Sequence, residues 1–207
     1  MFIWLSQTNQ INQTNQNNQT NQMNQTNQLD AETIAIGTEL LIGGRSDSNS
    51  LFLADELGKL GIAVRFKSVV GDERQDIVTA VHTAVKRAQV IIMTGGLGPT
   101  VDDCTREAVA HATGRRLGRR KEALEGMTAR LAQWGRRPSK GQLRQAMIPS
   151  GATVLKNPVG SAPGFCLTWK KALIISLSGV PREMEEMMWQ EVLPLLRAES
   201  GAAGRSF

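Results

Sequence analysis

The segment "TGGLGPTVDD", Thr94 to Asp103, sets three glycines, a proline and two adjacent carboxylates at the end of an apolar run. Gly95, Gly96 and Gly98 allow main-chain conformations closed to other residues and let a ligand approach the backbone. Free N–H groups in such a loop, with the dipole of a helix that follows, favour a phosphate. Asp102 and Asp103 would repel that anion unless a hard cation such as Mg²⁺ sits between them, so the pair points to a metal-held phosphate. The competing use of the two acids is to cap the helix, and of the glycines to make a turn.

The elements that must position this loop are legible in the pattern around it. "TIAIG" reads as a strand, and "DSNSLFLADELGKLG" as a helix with Leu53, Leu57 and Leu60 at helical spacing, polar starting residues at Asp47 to Ser50 and Gly61 as a stop. "IAVRFKSVV" is a second strand. In "DERQDIVTAVHTAVKRA" the residues Ile77, Val81, Val85 and Ala88 recur every three or four positions, which predicts a helix with one buried face. "QVIIMTGG" is apolar without alternation, as a strand covered on both sides should be. The order β-α-β-α-β-α predicts a doubly wound, mostly parallel sheet. Beyond Gly114 the sequence predicts a basic helix over Lys121 to Trp134, a Gly/Pro-punctuated stretch to Pro149, strands "GFCLTW" and "ALIISLSG" joined by the turn "KK", and a closing helix from Pro181, with Arg182 to Glu186 supplying charge in its first turns.

Composition narrows the function classes. Of 207 residues, 1–28 form a near-repeat of Thr, Asn and Gln that offers too little apolar burial to fold, which leaves about one domain. "MFIWLS" lacks the cationic start and length of a signal peptide, and no segment has the roughly 18 apolar residues of a membrane span, so a soluble, cytoplasmic protein without membrane partners is expected. Cys104 and Cys166 show no metal-ligand spacing and read as reduced thiols. The net charge is +5, with much of the excess clustered between Gly114 and Arg144; such clusters favour anionic partners, but a solvated basic face is the stronger reading. There is no nucleic-acid motif, no tyrosine and few aromatics to stack bases, so nucleic acid is not expected as a partner.

Six segments in order, "AIGTELLIG", "DSNSLFLADELGKLGI", "VVGDERQDI", "TGGLGPTVDDCTREAVA", "RQAMIPSGATVLKNPVGSAPGF" and "SGVPREMEEM", resemble the N-terminal domain of the competence/damage-inducible CinA family, within the wider molybdopterin-binding, MogA-like fold. The resemblance covers about Ala31 to Arg197. It implies a three-layer α/β/α domain over 29–197, with a basic connecting segment at about 115–149, a small C-terminal α+β extension and a tail at 198–207. It further implies an ADP-ribose pyrophosphatase dependent on Mg²⁺, Mn²⁺ or Co²⁺ and often helped by K⁺. Many members carry a nicotinamide mononucleotide deamidase as a second domain; this chain stops about ten residues past "LPLLR", and that activity is not carried over. The family usually has "LPGVP" where this chain has "LSGVP", so Ser178 replaces a proline and puts the rigidity of that turn in question.

On this resemblance Asp102 and Asp103 are assigned to metal and catalysis. Glu39 and Asp72 are further metal candidates, because each follows a predicted strand on one sheet edge; turn or cap chemistry is their alternative use. The backbone of Gly95, Gly96, Leu97, Gly98, Pro99 and Thr100 is expected at the phosphate, and Lys156 is the expected cationic contact in catalysis. Asn157, Gly160, Ser161 and Gly164, from "KNPVGSAPG", are expected close to the nucleotide. His82 and His111 fall in predicted helices and are read as solvated or packed. A molybdopterin- or nucleotide-binding module, or an adenylyl transferase, is the alternative reading. Met184, Met187, Met188 and Trp189 place much apolar surface on one short helix, which motivates an expected homodimer.

Overall fold

The computed structural model describes residues 29–43 and 45–201; the repeat tract at 1–28 and the end of the expected tail at 202–207 lie outside the described residues. In chain order the elements are β1 (Asp30–Ile36), α1 (Thr38–Leu41), α2 (Ser48–Lys59), β2 (Ala63–Val70), α3 (Arg74–Ala84), β3 (Val90–Thr94) and α4 (Thr105–Ala112). Then follow β4 (Leu117–Arg119), α5 (Lys121–Gln133), α6 (Lys140–Arg144), β5 (Met147–Pro149), β6 (Thr153–Leu155), β7 (Gly164–Trp169) and β8 (Ala172–Leu177). The described residues end with α7 (Pro181–Met187), a π-helical turn over Met188–Val192, and α8 (Leu193–Gly201), which carries the helix into the expected tail.

Six strands form one sheet in the order β2-β1-β3-β8-β7-β6. The pairs β1–β2, β1–β3 and β3–β8 are parallel, while β7 runs antiparallel to both β8 and β6. The sheet is therefore mostly parallel, as the alternating pattern predicts, with one reversed strand supplied by the β7–β8 hairpin. Lys170, in the "KK" turn of that hairpin, takes φ 55°. The basic segment contributes a separate two-stranded pair, β4 with β5.

Period-two alternation sorts the central strands onto two faces. Ile34, Ile91, Met93, Phe165, Leu167 and Ile174 join the core under α3, α4 and α5 with Ile77, Val81 and Val109. Val90, Ile92, Cys166, Leu173, Ile175 and Leu177 join the core under α2 and the C-terminal helices with Leu53 and Leu57. A strand such as "VIIMT" is apolar throughout because both of its faces are covered, and every residue in it is buried. Met184, Met187 and Met188 are fully buried in that second core, so their apolar surface is used within the chain; of the four residues that motivated a dimer, only Trp189 is substantially exposed, at 45%.

The parallel arrangement has one consequence for function. β1, β2, β3 and β8 all end on the same sheet edge, and their continuations are Gly37 to Glu39, Gly71 to Asp72, Gly95 to Asp103, and Ser178 to Glu183. The segment 156–163 leaves β6 at that same edge, because two reversals bring β6 back to the direction of β8. In open sheets this edge is where ligands bind.

Candidate functional site

A cleft of about 620 Å³ occupies that edge, lined by Glu39, Arg45, Asp72, the loop from Gly95 to Thr100, Asp102, Asp103, Gln145, Ser161 and the turn from Ser178 to Glu183. Among the described lining residues five are acidic, Glu39, Asp72, Asp102, Asp103 and Glu183, against one cation, Arg45.

The glycine loop is held from three sides. Gly95 takes φ 106°, and a Cβ there would collide with the carbonyl oxygen of Ile36, so the close passage of β3 past β1 requires glycine. Thr105, at the start of α4, donates its hydroxyl to the Gly95 carbonyl at 2.9 Å and its amide to that of Gly96 at 3.2 Å. Behind the loop, the buried Arg106 donates to the Leu97 carbonyl, which Gln145 also reaches at 3.4 Å. Burial pushes the Arg106 guanidinium down to about 10, with Glu107 and Asp103 pulling the other way, so it stays cationic at neutral pH.

Asp103 closes the loop from the inside. Its Oδ1 accepts the Gly98 amide at 2.8 Å, and its Oδ2 accepts the Thr100 amide at 2.8 Å and the Thr100 hydroxyl. Asp102, its neighbour, is exposed to the cleft and has no hydrogen-bond partner among the described residues. The two acids expected to act as a pair therefore differ: Asp103 organises the main chain, and Asp102 is open to a ligand.

The same geometry thins the expected phosphate cradle. The Gly95 amide donates to Leu177 at 3.1 Å, those of Gly98 and Thr100 are taken by Asp103, and Pro99 has no N–H. Gly96 and Leu97 are the loop residues whose amides are without a partner among the described residues.

Asp72 and Glu39 reach the cleft as the strand-end reading expects, in two different ways. Asp72 accepts the Thr38 amide on Oδ2 at 2.9 Å, starting α1, and has its other oxygen unengaged among the described residues. Its carbonyl accepts the Cys104 thiol at 2.9 Å; burial, with Glu107 and Asp72 nearby, pushes that thiol above its ordinary range. Glu39 is exposed, with no hydrogen-bond partner among the described residues. Among the described residues no three His, Cys, Asp or Glu side chains gather closely enough to cage a metal.

Lys156 is placed differently from the expectation. It lines a second cavity of about 240 Å³, between α5 and the 156–163 segment, with Glu122, Arg130 and Gln133. The segment bends around Asn157, whose Oδ1 accepts the amides of Val159 at 3.2 Å and Gly160 at 2.6 Å. Ser161 lines both this second cavity and the cleft, whereas Lys156, Asn157 and Gly160, all expected near the nucleotide, line only the second cavity. Gly164 opens β7, and a Cβ there would collide with Met187 and the Ser176 carbonyl, so it serves packing. Arg45, Gln145, Arg106 and Glu183 are site residues that the sequence reading does not single out. Only their positions in the fold mark them.

His82 donates from Nε2 to the Ala112 carbonyl at 3.0 Å and stacks on Trp169, and His111 is exposed on α4; neither lines the cleft. No helix among the described residues is long and apolar enough to cross a membrane.

A family model described as a probable molybdopterin binding domain matches residues 32–198. A CinA-like protein of Gloeothece citriformis (strain PCC 7424) is 42% identical over 172 residues, 83% of this chain and 41% of that protein. One from Solibacter usitatus (strain Ellin6076) is 44% identical over 168 residues, 81% of this chain and 40% of that protein. The chain belongs to the CinA-like family. It spans about two fifths of the length of these curated relatives. The structure of the protein CinA with unknown function from Thermoplasma acidophilum superposes with a TM-score of 0.74 at 32% identity, covering 82% of this chain and 99% of that one. The molybdopterin biosynthesis enzyme MoaB from Thermus thermophilus, at 22% identity, has a TM-score of 0.58 over 86% of this chain and 98% of its own, which establishes the shared MogA/MoaB-like fold.

Proposed function

We propose that the cleft binds ADP-ribose and hydrolyses its P–O–P bond to AMP and ribose 5-phosphate with the help of a divalent metal. The observation that carries this reading is the meeting, in one cleft, of a loop with free amides at a helix N-terminus and five acids against one arginine. A bare diphosphate would be repelled by those acids. A cation between them reverses the sign, and Mg²⁺ in particular keeps most of its waters and needs only one or two carboxylates besides the substrate's phosphates. The donors present fit that mode without a three-acid cage: one or two of the carboxylates of Asp102, Glu39 and Asp72, the last through its unengaged oxygen, would hold Mg²⁺, Mn²⁺ or Co²⁺. Such an ion would supply charge neutralisation at phosphorus and an acidified water.

The chain's own residues do the rest. The amides of Gly96 and Leu97 donate to a phosphate oxygen, and Arg106, behind them, holds the carbonyl of the next peptide unit, Leu97–Gly98. Asp103 holds the loop in shape before the substrate arrives, so no reorganisation is needed at the moment of reaction.

A second reading, ligand binding without hydrolysis, is favoured by the full engagement of Asp103 within the loop. Product analysis of ADP-ribose incubated with each of Mg²⁺, Mn²⁺ and Co²⁺, and with a chelator, separates the two. AMP and ribose 5-phosphate formed only with metal support hydrolysis. Bound but unchanged ADP-ribose under every condition replaces it with the binding reading.

A further inference from the structure

We propose that Glu183 reads the ligand's sugar, its free carboxylate oxygen accepting hydrogen bonds from a pair of vicinal ribose hydroxyls. The proposal rests on the nucleotide reading of the cleft and assigns its specificity to one residue.

Glu183 lies in the first turn of α7 and lines the cleft. Its Oε2 accepts two side-chain hydrogen bonds from two different loops, from the Ser178 hydroxyl at 2.7 Å and from Asn157 Nδ2 at 2.8 Å. Both donors are themselves fixed. Ser178 is 5% exposed and accepts the Val180 amide at 3.2 Å. Asn157 donates to the Ala162 carbonyl at 3.0 Å and accepts from Gly160 at 2.6 Å. The clamp also depends on an absent side chain, because a Cβ at Gly160 would collide with the Glu183 carboxylate. Oε1 is left without a partner among the described residues. A carboxylate held on one oxygen and open on the other is built to accept from something that enters the cleft.

The chemistry selects the sugar. A phosphate oxygen beside Glu183 would be repelled. A metal ion is better served by Asp102 and Glu39, which are exposed and carry no hydrogen bond among the described residues, than by Glu183, one of whose oxygens is already taken by Ser178 and Asn157. A vicinal diol is neutral and offers two O–H donors to one carboxylate, in charge-assisted bonds. An acidic side chain reads ribose hydroxyls in this way at the strand ends of dinucleotide-binding sheets.

The test uses the full chain and calorimetric binding of two ligands that cannot be cleaved: methylene-bridged ADP-ribose, and methylenediphosphonate, which lacks any sugar. Glu183→Gln is the informative variant, since its carbonyl oxygen can keep both hydrogen bonds at the Oε2 position while an NH₂ replaces the ligand-facing acceptor. The expected result is about a 10-fold or greater loss of affinity for the nucleotide, as for removal of a charged hydrogen-bond partner, with methylenediphosphonate affinity and the unfolding midpoint unchanged. Ser178→Ala, which removes one of the two hydrogen bonds that hold the carboxylate and leaves the one from Asn157, should weaken nucleotide binding alone by a smaller factor. Equal loss for both ligands, or no loss for either, overturns the proposal. Weaker Mn²⁺ binding by Glu183→Gln without nucleotide overturns it in favour of a metal ligand. Wild-type protein that unfolds cooperatively but binds only methylenediphosphonate removes the nucleotide reading, and this inference with it.

Discussion

Asp103 and Thr100 close a small ring at the tip of the glycine loop: one carboxylate oxygen takes both the backbone amide of Thr100, at 2.8 Å, and its hydroxyl. Asp102, one residue earlier, makes no such bond and faces the cleft. Exchanging the two carboxylates should therefore produce opposite phenotypes. Asp103→Ala leaves amides without acceptors and is expected to lower stability by about 1–3 kcal/mol. Asp102→Asn should leave the unfolding midpoint unchanged and cut metal-dependent turnover on the order of 10²-fold. Thermal unfolding and turnover, measured on both variants, check the pair; loss of stability in Asp102→Asn with full activity per folded molecule would show that the two acids have been assigned the wrong way round.

Gly95→Ala should be among the most damaging single changes. The added methyl meets the Ile36 carbonyl at a residue with φ 106°, so both sterics and backbone conformation oppose it. A loss of about 2 kcal/mol or more is expected, read as a lower denaturant midpoint at unchanged slope. An Ala variant as stable as wild type would mean that β1 and β3 separate easily here.

Arg106 anchors the loop from the core, where it is 2% exposed. Arg106→Ala removes the donor to the Leu97 carbonyl and leaves a void, and is expected to cost about 2–4 kcal/mol. Because the guanidinium is held down only to about 10, Arg106 carries its charge across the pH 5–8 range and contributes no stability change there. A stability profile between pH 5 and 8 that differs in slope between wild type and Arg106→Met would contradict this.

Cys104 should alkylate slowly at neutral pH. Burial, with Glu107 and Asp72 close by, disfavours the thiolate and pushes the thiol up, so the reactive fraction appears only at higher pH than for a free thiol. Iodoacetamide rates followed by mass spectrometry from pH 7 to 10 should show Cys104 lagging a small-peptide thiol throughout; equal rates at pH 8 would count against it.

Removing residues 1–28 should leave cooperative unfolding unchanged, since the described core begins at Ala31 and Leu29 packs against it. A lower unfolding midpoint in the truncated chain would show that the tract contributes to stability.

Local chemistry was readable along the chain wherever it depends on near neighbours. The helix phase that places Ile77 and Val81 in the core follows from spacing alone, and both are fully buried. The continuous apolar run of β3 announces a strand covered on both faces, and the run of glycines after it announces a tight loop at the strand's end. Asp102 and Asp103 could be picked out as a pair in the same way, because they are adjacent. What adjacency could not reveal is that one turns inward to the amides of Gly98 and Thr100 while the other turns out, since that depends on how the loop curls against α4.

The remainder of the site was decided by tertiary structure. The two-residue "KK" turn marks β7 and β8 as an antiparallel hairpin, but no local signal pairs β6 with β7, and that second reversal returns the 156–163 segment to the ligand-binding edge. Lys156 and Asn157 are neighbours in a segment that reads as a nucleotide contact, and the fold places both on a second cavity, while Ser161, from the same segment, reaches the cleft. Glu183, 26 positions from Asn157, looks like one acid among several at the start of a helix until the fold brings the two side chains to 2.8 Å. Contacts of that kind arise from the joint packing of strands and loops far apart in sequence, and no local preference encodes them.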